Sequence, residues 1–161
     1  MKTKVSVWSL GAFLFLAMAI PQVQASTFLG QTTWTVTITE TSNDTPPGTT
    51  FTITGSISMV GGAYYLFQGY VSPQDDLPYV VSGSGVLIND NLILTLSSSQ
   101  DHSDNDWSDT GIMRCTINKS NFNGTFYEIQ TDLDRAATPK TISHGYTIGT
   151  LTCTGGVLPL Q

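Results

Sequence analysis

The sequence predicts an all-β protein, an eight-stranded antiparallel meander closed into an up-and-down barrel. Three observations carry this. Eight segments alternate apolar and polar residues with a period of two, the signature of strands with one apolar face. The connections between them alternate short and long. Glycines interrupt several of the strands at positions where a sheet that curves into a small barrel must bend or pack closely.

The first two strands are the clearest. Trp34, Val36 and Ile38 alternate with threonines. After a polar turn from Thr41 to Gly48, Phe51, Ile53, Ile57 and Met59 do the same. The third strand is read at Gly62 to Ser72, with Tyr64, Tyr65, Leu66, Phe67, Tyr70 and Val71, and the fourth at Pro78 to Ile88. The fifth covers Asn91 to Ser98 with Leu92, Leu94 and Leu96 on one face. The sixth covers Asp109 to Asn118, where Met113, Cys115 and Ile117 share a face. Phe122 to Thr131 and Ser143 to Thr154 complete the set. Pro46, Pro47, Pro73, Pro139 and Pro159 lie outside these runs and Pro78 opens one, where a missing N–H is tolerated. No segment has helical periodicity of useful length, although Asp132 to Pro139 has room for a single turn.

Long connections are expected at Thr41 to Gly48, Ser99 to Ser108 and Asp132 to Ile142, and an intermediate one at Pro73 to Leu77. Short ones fall around Gly61, Asn89-Asp90 and Lys119-Ser120. In a meander, odd and even turns lie at opposite ends, so one end is closed by tight turns and the other carries the longer loops. Closing eight strands removes both sheet edges. Gly55, Gly69, Gly83, Gly85, Gly124 and Gly149 are the candidate bends. A two-sheet β-sandwich is the alternative. Its immunoglobulin form fits poorly, because Trp34 precedes both cysteines and Cys115 to Cys153 is a short spacing for that bridge.

Lys2 and Lys4 precede an apolar run from Val5 to Ile20, then Pro21 and a polar stretch ending Val23-Gln24-Ala25. This reads as a secretory signal peptide over residues 1–25, with a single domain over 26–161 and a secreted or periplasmic location. A retained N-terminal anchor is the alternative. Past residue 25 the chain holds Arg114, Lys119, Arg135 and Lys140 against twelve acidic residues, a net charge of −8. Nucleic acid is not an expected partner, because phosphate binding needs basic residues that release counterions.

Cys115 and Cys153 are the only cysteines. In an oxidising compartment they are a candidate disulfide, one that closes a long loop and in the chain-entropy model contributes about 3 to 4 kcal/mol. A meander opposes the bridge, because a whole strand separates them, about 9 Å or more, whereas a disulfide needs Cα atoms within roughly 7 Å. Two free thiols are the alternative. Asn43, Asn118 and Asn123 open Asn-x-Ser/Thr sequons, which are glycosylation sites in a eukaryotic secretory pathway.

Gly30-Gln31-Thr32-Thr33-Trp34, followed by the eight-strand rhythm, resembles the opening of the calycins, the lipocalin and avidin families. Their first strand carries a Gly-x-Trp whose Trp plugs the closed end of the barrel. Here three residues separate Gly30 from Trp34, and no basic residue follows Lys140 to cover that Trp as lipocalins do. The resemblance implies a barrel with Trp34 at its base, able to hold a small ligand at the open end.

Chemistry-bearing clusters are sparse. The acidic loop from Asp101 to Asp109 invites a calcium reading, but from Asp104 the EF-hand pattern has Asp109 at its sixth position and Cys115 at its twelfth, so a solvated loop is expected. His102 and His144 have no zinc spacing. Ser82-Gly83-Ser84-Gly85 lies within a strand and is no nucleophile elbow. Neither an enzyme nor a cofactor is expected. Glu128 sits on a strand whose face is ambiguous: inward, it is a buried carboxyl and a functional candidate, but exposure is the expectation. Tyr70, Tyr79, Trp107 and Tyr146 should gather at the long-loop end, where amphipathic rings suit a ligand mouth.

The expected function is therefore a secreted binding module that takes a small apolar molecule or a partner at its long-loop end. An exported structural or adhesive protein with a filled barrel is the second reading. The third is a small outer-membrane barrel, with Trp34, Val36 and Ile38 facing lipid and the threonines facing the lumen.

Overall fold

The computed structural model describes residues 25–42, 45–74, 77–102 and 107–160. The strands are β1 (Ser26–Thr41), β2 (Thr50–Val60), β3 (Tyr64–Ser72), β4 (Tyr79–Ile88), β5 (Asn91–His102), β6 (Trp107–Asn118), β7 (Gly124–Asp134) and β8 (Thr141–Gly155). Each pairs antiparallel with its sequence neighbours, and β1 also pairs with β8, which closes the barrel. Closure excludes the sandwich. The signal-peptide reading of residues 1–24, the sequon Asn43 and the centre of the acidic loop, 103–106, lie outside the described residues.

Several strands run longer than the sequence pattern indicates. β1 begins at Ser26, and a register shift between Phe28 and Gly30 hides the alternation there. β5 and β6 pair as far as His102 and Trp107, so most of the expected loop Ser99 to Ser108 is a hairpin arm. β7 continues to Asp134, opposite Trp107, where a helical turn had room to form. Polar residues of these extensions lack an apolar partner phase, so period-2 reading could not count them as strand.

The alternation is resolved with the apolar residues inside. Trp34, Val36, Ile53, Ile57, Tyr65, Phe67, Leu92, Leu94, Leu96, Met113, Ile117 and Phe126 are buried and fill the centre of the barrel. The threonines that alternate with Trp34 and Val36 on β1 face outward, the reverse of the arrangement that a lipid-facing β1 requires. Glycine is needed where strands approach most closely. A Cβ on Gly83 would collide with the Thr95 carbonyl, and one on Gly124 with that of Thr116.

The tight-turn end is sealed around Trp34. Its indole Nε1 donates a hydrogen bond of 2.8 Å to the Phe122 carbonyl. The Phe122 ring stacks on it at 6° with centroids 6.2 Å apart, and Phe67 meets it from the side at 5.9 Å. Phe122 adopts φ +59°, which turns its side chain inward under the barrel, and its burial offsets the cost of a left-handed non-glycine residue. After Gly156 (φ +70°) the tail turns back and lays Leu158 against Gly30.

Cys115 and Cys153 are free thiols, which corrects the candidate disulfide. The register supplies the reason. Cys115 is opposite Phe126, and Phe126 is opposite Gly149, so Cys153 lies a strand away and four residues further along β8, about 13 Å in that direction alone. Burial, and then the charge of Glu128, push the Cys115 thiol up to about 12. We expect two thiols per chain to react with a thiol reagent in denaturant without reductant, and Cys115 to be inert in the native protein. Recovery of an intramolecular bridge from protein purified without reductant would contradict this.

Candidate functional site

The inward columns of the barrel change character at one height. Towards the long-loop end, Leu96 gives way to Ser98 and Gln100 on β5, and Met113 to Gly111 and Asp109 on β6. Phe126 gives way to Glu128 and Gln130 on β7, and Leu151 to Gly149 and Thr147 on β8. The opposite wall stays apolar up to the rim: Ile38 on β1, Phe51 on β2, Val71 on β3 and Tyr79 on β4. Between the walls lies a cavity of about 320 Å³, bordered above by Thr45, Thr49, Thr50, Pro73 and Gln74. Its floor is the packed centre of the barrel, so the open volume is a cup at the mouth and does not run the length of the interior.

Glu128 is the unusual group in this cup. It points inward and is only 8 % exposed, which corrects the expectation that it faces solvent. It lines the cavity. Glycine at 111 makes the space: a Cβ there would lie 2.6 Å from Glu128 Oε1 and 2.8 Å from Ser98 Oγ. Desolvation, then the charges of Asp109 and Asp132, push the Glu128 carboxyl up from 4.5 to about 7. Asp109 and Asp132 stand directly opposite each other on β6 and β7, an arrangement of like charges that costs stability. Gln130 Nε2 donates to Asp132 Oδ1 at 2.7 Å and eases it.

Among the described residues, no basic side chain lines the cup. Arg135 is held at the rim by Asp101 (2.5 Å) and the Trp107 carbonyl (3.1 Å). Lys119 pairs with Asp90 among the tight turns at the far end of the barrel (2.6 Å). Among the described residues, no three His, Cys, Asp or Glu side chains converge as metal ligands.

The four aromatics do not gather as expected. Tyr79 alone lines the cavity. Tyr70 is on the outer face of β3 opposite Val80, and both are exposed. Trp107 is 42 % exposed at the top of β6, beside Asp134 of β7. Tyr146 is on the outer face of β8, where its hydroxyl donates to Glu40 Oε1 at 2.8 Å. That hydrogen bond, and then the charge of Glu40, raise the Tyr146 phenol above its ordinary value. The four are close to one end in sequence register, but strand parity points two of them away from the interior. The reading also missed Gln100, Gln130 and Thr147, polar residues in the inward phase of their strands; extending that phase from Leu96, Phe126 and Leu151 would have located them.

In comparisons with protein-family models and with curated protein sequences, the chain matches none. The class that fold and site define is a closed eight-stranded meander barrel with a sealed base and an acidic, half-apolar cup at its mouth.

Proposed function

We propose that this protein is a secreted binding module that takes a small molecule into the mouth of the barrel. One observation carries the reading: a cavity of about 320 Å³ at the mouth of the barrel, where the largely buried Glu128 faces an apolar wall of Ile38, Phe51, Val71 and Tyr79. Desolvation of that carboxyl costs stability, and such a group inside a cavity is a mark of a binding site. Secretion rests on the signal-peptide pattern of residues 1–25, and kinship with the calycins on the Gly30 to Trp34 stretch together with the strand rhythm. The lining shifts the expected ligand from apolar to amphipathic, since nine of its fourteen residues are polar. A ligand that lies along the barrel axis has no room, because the centre is filled.

That filled centre favours the second reading, an exported structural or adhesive protein. Calorimetric titration with benzyl alcohol, benzylamine and benzoate separates the two. The binding module predicts saturable one-to-one binding of at least one probe, lost when Thr147→Trp fills the cup. Absence of saturable binding for all three would leave the structural reading.

A further inference from the structure

One flank of the barrel is set apart by its lack of charge. No residue of β2, β3 or β4 carries a charged side chain, although the chain past residue 25 has a net charge of −8. Glu40, Asp101, Asp109, Asp132 and Asp134 all lie on other strands. The outer face of these three strands holds a groove of about 450 Å³, which shares no lining residue with the cup. Ser56 and Ser58 of β2 line it on one side and Ser82 and Ser84 of β4 on the other, with Leu66 and Gln68 of β3 between them. Tyr64 and Tyr70 continue the outward phase of β3 past the two ends, 63 % and 46 % exposed. Phe28 of β1, opposite Ser58, is exposed as well.

Residues on one face of a strand recur every second position, so Tyr64 and Tyr70 stand about 20 Å apart along a nearly straight line. We propose that this groove binds an extended, uncharged, β-linked polysaccharide that lies along β3, with Tyr64 and Tyr70 against the C–H faces of its sugar rings. The serine hydroxyls and the Gln68 amide, which both donate and accept, meet the sugar hydroxyls between them. This site is independent of the binding-module reading of the cup.

The lining selects this chemistry over others. An ionic ligand would leave water without a counter-charge from any of the three strands, and desolvating an unpaired charge is costly. A wholly apolar partner would cover Ser56, Ser58, Gln68, Ser82 and Ser84 without satisfying them, which also costs free energy. A sugar ring offers both halves of the match, hydroxyls at its edge and an apolar face for an amphipathic aromatic side chain. The linear array favours β-linked chains, which run straight enough to follow one strand.

The test is native affinity electrophoresis of the purified protein in gels that contain cereal β-glucan, glucomannan, dextran or alginate. At least one of the two β-linked neutral polymers should retard the protein, while α-linked dextran and anionic alginate should not. Tyr64→Ala and Tyr70→Ala, with their folds checked by near-ultraviolet circular dichroism, should each weaken retardation at least about fivefold. Tyr127→Ala, which removes an exposed tyrosine on β7, should behave as the unmodified protein. The proposal falls if neither β-linked polymer retards the protein, if dextran or alginate does so equally, or if both groove variants are retarded like the unmodified protein. A dimer in sedimentation velocity that Tyr64→Ala dissociates would assign this face to a second copy of the chain and overturn it as well.

Discussion

Glu128→Gln should stabilise the folded protein by about 2 to 3 kcal/mol at pH 8 and leave it nearly unchanged at pH 4. The sign follows from the proton balance. In the unfolded chain the carboxyl releases its proton near 4.5, and in the folded protein only near 7. Between those values the folded state holds a proton that the unfolded state has lost, so stability falls as pH rises across the window and stays low above it. The magnitude follows from about 1.4 kcal/mol for each pH unit of the window, slightly reduced for the residual exposure of the group. Glutamine keeps the shape without the charge. Urea midpoints for both proteins from pH 4 to pH 8 measure the effect, and the difference between the two curves isolates Glu128 from the other eleven acidic residues. Parallel curves would mean that Glu128 is solvated in the folded state, and the cup would lose its defining group.

Trp34→Ala should cost about 3 to 5 kcal/mol, a large share of the roughly 5 to 15 kcal/mol that holds a domain of this size together. Three losses combine. The indole is 1 % exposed, so its removal opens a void beneath the barrel. The stack on Phe122 and the contact with Phe67 disappear. The Phe122 carbonyl loses its 2.8 Å donor. Trp34→Phe restores a ring but not the donor and should cost about 1 to 2 kcal/mol, nearer the price of an unmet hydrogen bond. Guanidinium denaturation measures both. A loss below about 1 kcal/mol for the alanine variant would show that Leu158 and the tight turns seal the base without the indole.

Much of the architecture was legible because one physical rule governs it. Side chains of a strand alternate between two faces, so Trp34-Val36-Ile38 and Leu92-Leu94-Leu96 announce both a strand and which of its residues share a face. Where both phases carry apolar residues, the rule is silent. Around Glu128 the inward Phe126 competes with the outward Tyr127 and Ile129, both at least 42 % exposed, so sequence alone could not choose the face. Position along a strand is legible too, and this correctly placed Tyr79 at the mouth. Direction was harder: Tyr146 reaches the same end and points outward to Glu40, because its neighbour Thr147 holds the inward phase. The thiols repeat the point, since closeness in sequence order of strands says nothing about the four-residue offset that keeps Cys115 from Cys153.

By itself the sequence determined the number of strands, their order and which end carries the longer loops, because these depend on local alternation and on the lengths of connections. Only the tertiary structure decided that Trp34 faces inward, that the barrel centre is filled, that the thiols stay apart and that Glu128, Asp109 and Asp132 come together on one side of the barrel. Those outcomes depend on register between strands, and register is set by how all eight apolar faces fit together around a closed circumference.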